Sequence, residues 1–190
     1  EVVERLYAGL NEGKSAREIL KGEEDWELAK DLFLLTAKKE IRVYNVSEDD
    51  KRLREPMGEN LYICAKVEAE LSSLAEDDAK VYLHELGIKE SGLDLLIKKA
   101  YLALGLISFL TTGEMESRAW TTTVGAKAPQ AAAVIHTDFE KKFIKAKICD
   151  YDRFVEAGGW KGASDKGWVR FEGKDYEMKD GDVVEFMIGS

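Results

Sequence analysis

Apolar residues at positions 2, 3, 6, 7 and 10 fall on one helical face, and Gly13 follows where a helix would end. The spacing therefore predicts a helix over the first dozen residues. A second helix is predicted for EEDWELAKDLFLLTAK, with Trp26, Ala29, Phe33 and Leu32 on one face and acids in the first turn, where they suit the helix dipole. The period then changes. KEIRVYNV is β-branched and aromatic and reads as a strand that stops at Asn45-Val46-Ser47-Glu48. A polar connector, DDKRLREPMGEN, leads to a second short strand, LYICA, and then to helices over about 66–86 and 93–104. Strand, connector, strand, helix is the order of a parallel α/β sheet, and two strands are too few to make one alone.

After residue 104 the pattern becomes strand-rich. ISFLTT, SRAWTTTV, KKFIKAKICDYD, GWVRFEG, KDYEM and DVVEFMIG read as strands punctuated by Gly, Asp and Lys. One helix, PQAAAVIH, interrupts them, with Pro129 acceptable in its first turn, and a short one is expected over 151–157. Strands around one main helix within such a span describe a β-grasp fold. The expectation is thus a mixed α+β and α/β chain in three parts: helical residues 1–36, a partial α/β region 37–104, and a β-grasp module 105–190.

Composition agrees with a folded chain. Hydrophobic residues make up 45% and there are only two prolines, which is enough apolar material for a core. No apolar run approaches the ~18 residues that span a bilayer, so no membrane partner is expected. The opening EVVERLYAGL lacks the order of a signal peptide and an initiator Met, so the chain is expected to begin inside a longer protein. Cys64 and Cys149 lie in apolar strand-like segments and read as buried, reduced thiols of a cytoplasmic protein. The net charge is −9, but residues 105–190 hold 12 Lys+Arg against 14 Asp+Glu, so a polyanion-binding surface would have to be local and in that half.

Four stretches carry candidate chemistry. Ala8 to Ser15, AGLNEGKS, fits the loosest form of a phosphate-binding loop, but Ala8 replaces the first Gly and the preceding VVERLY is helical rather than a strand. It reads as a helix end and a turn. Asn45-Val46-Ser47-Glu48 ends a hydrophobic strand, where open α/β sheets bind ligands. P-loop GTPases carry Asn-Lys-x-Asp there, whose Asp accepts hydrogen bonds from the guanine N1–H and 2-amino group. Adenine presents neither donor, and the longer Glu48 disrupts the bidentate geometry. About twenty residues on, Cys64-Ala65-Lys66 resembles the Ser-Ala-Lys base-contact loop of the same class. The fourth stretch is FEKKFIKAK: Lys141, Lys142, Lys145 and Lys147 interleave with Phe139 and Phe143. Alternation puts Phe143, Lys145 and Lys147 on one face and Lys142, Ile144, Ala146 and Ile148 on the other. Such a group either grips RNA backbone and stacks a base or is a solvated strand edge guarded by lysine. His136 has no partner nucleophile and reads as structural. The acidic runs Glu48-Asp49-Asp50 and Glu76-Asp77-Asp78 lack EF-hand spacing and read as solvated loop and helix-start charges; no metal site is expected.

These loops, with AKVEAEL, the long run GLDLLIKKAYLALGLISFLTTGEMESRAWTTTVGAKAPQAAAVIHTDF, then FIKAKICDYDRFVEAGGW and EGKDYEMKDGDVVEF, resemble the YchF-type, Obg-like P-loop ATPases along nearly the whole chain. The resemblance implies a three-part ATPase: a nucleotide domain, a helical arm inserted in it, and a C-terminal TGS domain. It implies a preference for ATP and an association with ribosomes and stress responses. Residues 1–36 would then be the returning half of the arm, 37–104 the last third of the nucleotide domain, and 105–190 the TGS module. By carry-over Asn45 and Val46 contact adenine, Glu48 stands where a guanine-reading Asp would be, and Cys64, Ala65 and Lys66 flank the base. The phosphate-binding loop, the magnesium-binding switch threonine and the DxxG-type segment would all precede Glu1. ATP and Mg2+ are therefore expected on the full-length parent, with neither bound nor hydrolysed by this chain alone. The connector after Glu48 is shorter than the family pattern. The expected partners are the ribosome or structured RNA. The reading from another class is a non-catalytic TGS module that binds RNA or protein.

Overall fold

The computed structural model describes residues 1–54, 60–113 and 116–189. It divides into two compact units, Glu1–Ala103 and Leu104–Ser190.

The first unit begins with three helices, α1 (Val2–Asn11), α2 (Ala16–Ile19) and α3 (Gly22–Ala29). Leu6, Ala16, Ile19, Leu20 and Ala29 form a small buried core, against which Leu34 and Ala37 pack. That packing explains a departure from the periodicity. The helix expected to run to residue 38 stops at Ala29, and two 3-10 turns, Lys30–Leu32 and Leu35–Ala37, follow on either side of Phe33. Leu34 and Ala37 reach this core through a turn rather than along a continuous helix. The chain instead reverses at Phe33, whose φ is 48°, and Thr36 Oγ1 accepts the Ala16 N–H at 3.1 Å. Leu32 and Phe33, expected on the buried face, are exposed, and Trp26 is only partly covered.

Beyond this lie β1 (Val43–Asn45) and β2 (Leu61–Ile63), a parallel pair in which Val43 faces Leu61 and Asn45 faces Ile63. The strand expected from residue 39 is thus three residues long. Residues 55–59 of the connector lie outside the described residues. The helix expected over 66–86 is two, α4 (Ala65–Leu71) and α5 (Glu76–Glu85). Between them the Ser72 and Ser73 hydroxyls bond back to the Ala69 and Glu70 carbonyls at 2.8 and 2.7 Å, competing with helix continuation. Glu76, Asp77 and Asp78 occupy the first turn of α5, and Glu76 pairs with Lys80 one turn on. A second small core of Leu53, Cys64, Val67 and Ile88 packs under these elements. α6 (Gly92–Leu104) follows.

The second unit contains β3 (Leu106–Thr112), β4 (Ser117–Thr123), α7 (Ala128–Ile135), α8 (Thr137–Lys141), β5 (Phe143–Asp150), α9 (Tyr151–Ala157), α10 (Trp160–Asp165), β6 (Arg170–Glu172) and β7 (Asp182–Ile188). The sheet order is β4-β3-β7-β5-β6. β3 and β7 are parallel at the centre and every other pairing is antiparallel. This is the expected β-grasp arrangement. One sheet face is dry: Ile107, Phe109, Phe143, Ala146, Ile148 and Val184 bury against Ala128, Ala131 and Ala132 of α7. KDYEM, expected as a strand, makes only an isolated bridge from Glu177 to Lys127. A partly buried polar knot closes this end. Arg170 makes two bonds to Asp150, at 3.1 and 3.2 Å, and Tyr176 Oη and the Lys179 N–H donate to Asp182 at 2.9 Å each. Burial raises the Asp182 carboxyl above its ordinary value and pushes the Tyr176 hydroxyl up to about 12. The Arg170 guanidinium holds Asp150 below the usual carboxylate range. Among the described residues no helix is long and apolar enough to cross a membrane, and no cluster of three or more His, Cys, Asp or Glu could hold a metal ion.

Candidate functional site

The phosphate-loop look-alike is a helix terminus. Gly13 turns the chain after α1 with a φ of 81°, Lys14 pairs with Glu12 at 2.7 Å, and the Ser15 N–H, at the start of α2, donates to Glu18 Oε2 at 2.7 Å. The Gly13 and Lys14 N–H groups donate to the Leu10 and Gly9 carbonyls at 3.0 Å each, so they are engaged within the turn rather than offered to a phosphate.

The other two loops meet. β1 and β2 are parallel, so their C-terminal ends lie side by side and deliver Asn45 and Cys64 to the same edge. The Val46 N–H donates to the Ile63 carbonyl at 2.8 Å. Asn45 Oδ1 then accepts the Ala65 N–H at 3.0 Å, which links the two loops directly. Lys66 Nζ bonds Glu48 Oε2 at 2.7 Å, a second link that raises the Lys66 pKa. The Glu48 carboxylate is therefore drawn toward Lys66. Cys64 is buried and caps α4, while Ala65 and Lys66 are exposed.

Three residues that sequence reasoning did not single out hold this edge. Arg54 donates from Nε to the Leu86 carbonyl at 2.7 Å and from Nη2 to the Glu48 carbonyl at 3.3 Å, tying the loop to the end of α5. Arg52 lies 4.5 Å from the centroid of the Tyr62 ring and holds Asp50 down at about 2. Glu68 accepts the Gly92 and Leu93 N–H groups at 2.7 and 3.2 Å and so anchors the start of α6 to α4. Each is an ordinary charged residue in a polar stretch. Only the pairing of distant segments gives it a partner.

The lysine run of the second unit needs a correction. The pairing of β5 with β7 shifts between Phe143 and Lys145, so Phe143 faces Ile188 and Lys145 faces Met187. The extra residue rotates the strand. Phe143 turns into the core at 3% exposure, with Ala146 and Ile148, while Lys145 and Lys147 point to the opposite face. Phe143 is not a base-stacking surface. Lys147 is engaged as well: its Nζ lies 3.0 Å from Glu185 Oε2 and 4.3 Å from the Trp160 ring centroid. Lys141, Lys142 and Lys145 are exposed. His136 is structural, its Nδ1 accepting the Asp138 N–H at 3.3 Å as the cap of α8.

Residues 106–189 match the family model YchF-GTPase_C, described as a protein of unknown function. Over 98% of its length the chain is similar to the ribosome-binding ATPase YchF of Bacillus subtilis, at 43% identity, and to Obg-like ATPase 1 of Caenorhabditis elegans, at 34%. It covers 55% and 51% of those proteins, so the chain spans about half the length of the curated relatives it matches. The structure of the Schizosaccharomyces pombe YchF GTPase superposes on 98% of the chain with a TM-score of 0.84 and 32% identity, the chain covering 53% of it. Paired loops on parallel strand ends and a β-grasp sheet are thus features of a chain that matches the C-terminal part of Obg-like, YchF-type proteins. Residues 106–189 belong to the YchF C-terminal family, and the chain as a whole is similar to YchF-type, Obg-like ATPases.

Proposed function

We propose that this chain carries the base-recognition edge and the TGS-type effector module of a ribosome-associated, ATP-preferring P-loop nucleotide hydrolase that works in the cytoplasm. The observation that carries the reading is the double link between Asn45-Val46-Ser47-Glu48 and Cys64-Ala65-Lys66, through Asn45 to Ala65 and Glu48 to Lys66. Those links hold both loops at the strand ends, where a base would lie against Asn45 and Val46 on one side and Ala65 and Lys66 on the other. The triphosphate and Mg2+ would be held by a phosphate-binding loop elsewhere in the longer protein, and the transfer chemistry would be positioning and electrostatic stabilisation there. The relatives are named as ribosome-binding ATPases, whereas the S. pombe protein is described as a GTPase. Glu48 is the residue that discriminates. A guanine-reading carboxylate must present both oxygens to two donors on the base, and Glu48, one methylene longer than Asp, spends its charge on Lys66 instead.

The test is Glu48→Asp in the longer protein. The shorter side chain restores the guanine-reading geometry and moves the ATP-to-GTP ratio toward GTP by about 1–3 kcal/mol, the scale of a hydrogen bond to a charged group. Competition binding of the two nucleotides reads it. An unchanged ratio overturns the assignment of Glu48 to base selection.

A further inference from the structure

The face of the C-terminal sheet opposite α7 holds an aromatic–lysine group that lies outside the buried core. Strand register puts Phe171 of β6 beside Lys147 of β5, and Lys147 beside Glu185 of β7. Glu185 and Trp160 together take up Lys147. Lys145, two residues earlier on the same face, makes no ion pair among the described residues, and its Nζ lies 4.5 Å from the centroid of the Phe171 ring. That ring is 57% exposed, on a short edge strand. Lys141 and Lys142, at the end of α8 and just before β5, are exposed and likewise make no ion pair among the described residues. One lysine thus lies on an open aromatic ring, and two more exposed lysines precede it by three and four residues in the chain, whose net charge is −9.

We propose that this face binds single-stranded RNA, with Phe171 stacking an unpaired base and Lys145, Lys141 and Lys142 holding the flanking phosphates. The inference rests on the proposed ribosome association and gives it a ligand. Charge complementarity selects a polyanion, since the rest of the chain repels one. The exposed ring selects an unpaired base over a duplex. A-form RNA offers phosphates and 2′-hydroxyls but no free base face, so Phe171 would be idle against it. An acidic peptide would satisfy the lysines and leave the ring without a planar partner. Lys145 shields the ring in the free protein. A base takes its place there and the ammonium, on a flexible stem, moves to the adjacent phosphate, which keeps the aromatic face covered in both states.

The experiment is fluorescence anisotropy of the 190-residue chain with a labelled single-stranded RNA decamer and with the same sequence as a duplex, across a salt series. The expected result is preference for the single strand, about a tenfold loss for Phe171→Ala, and retention for Phe171→Trp. The triple change Lys141→Gln, Lys142→Gln, Lys145→Gln should flatten the dependence of log affinity on log salt by about 2. Phe171 lies outside the core, and Phe171→Leu keeps an apolar side chain there, so equal losses for Ala and Leu with retained circular dichroism separate stacking from folding. Equal affinity of Phe171→Ala and the parent, a duplex preference, or no RNA binding overturns the proposal. Ribosome pelleting keeps the two readings apart. A chain that pellets with ribosomes yet ignores Phe171→Ala and free RNA sinks this inference and leaves ribosome association standing. A chain that binds the decamer through Phe171 but does not pellet sinks the association instead.

Discussion

Replacing Gly92 with alanine should loosen the proposed base edge without touching a residue proposed to contact the base. A Cβ at Gly92 would sit 2.5 Å from Ile63 Cγ2 and 2.9 Å from Glu68 Oε1, where ordinary carbon contacts lie at about 3.5–4.0 Å. Ile63 is the last residue of β2, immediately before Cys64-Ala65-Lys66, and Glu68 is the carboxylate that accepts the Gly92 N–H at 2.7 Å. Relief of an overlap of about 1 Å therefore displaces the end of β2, the cap of α6, or both. Overpacking of this kind costs about 1–3 kcal/mol, and a weakened hydrogen bond to the Glu68 carboxylate adds about 1 kcal/mol. The better helix propensity of alanine returns less than about 1 kcal/mol. The net is a loss of about 1–3 kcal/mol. Amide hydrogen exchange at Val46 and Leu61 is the assay, because their N–H groups bond the Ile63 and Arg42 carbonyls across the strand pair at 2.8 and 2.9 Å. Exchange there should quicken by about five- to 150-fold. Gly105→Ala is the control. Its Cβ meets nothing within 4 Å, so only the strain of a φ of +65° remains and these amides should be unaffected. Unchanged protection at Val46 and Leu61 in Gly92→Ala would refute the steric reasoning.

Three further outcomes follow from the same structure. Calorimetric titration of this chain with ATP and Mg2+ should give no dissociation constant in the micromolar range, because base contacts alone leave a triphosphate unheld; a micromolar value would return Gly13-Lys14-Ser15 to consideration. Asp150 is held below its unfolded value by Arg170, so its contribution to stability is present above about pH 4 and is lost as pH falls through the folded value. Asp182 is raised by burial, so its contribution is present below about pH 4 and is lost as pH rises through the folded value. Urea midpoints read by tryptophan fluorescence from pH 3 to 8 should lose the acid-side fall in Asp150→Asn and the higher-pH fall in Asp182→Asn, and identical profiles would count against both assignments. Phe33→Gly should raise the stability of the first unit by about 1 kcal/mol, since glycine accepts a φ of 48° freely and the lost ring is 83% exposed; a lower urea midpoint would show that the ring packs in solution.

By itself, the sequence determined the local and repetitive features of this protein. The helical spacing of α1, the strand-like runs of β3 and β7, and Pro129 in the first turn of α7 are short-range signals, and each appears where its pattern placed it. The two loops Asn45–Glu48 and Cys64–Lys66 were also legible as loops, because each is a contiguous run at the end of an apolar strand. Register, reversal and pairing were decided only by tertiary structure. Phe143 enters the core because β5 gains one residue against β7, and nothing in FIKAK marks where that residue is inserted. The helix after Trp26 ends at Ala29 because Leu34 and Ala37 must return to a core whose other members are up to thirty residues away in the chain. Glu48 meets Lys66, Arg54 meets Leu86, and Phe171 comes beside Lys145 through contacts between distant segments. Helical and strand periods are written in neighbouring residues, so a linear reading recovers them. Which strand lies beside which, and by what offset, is settled by the burial of whole faces at once, and that free energy belongs to no single stretch of the chain.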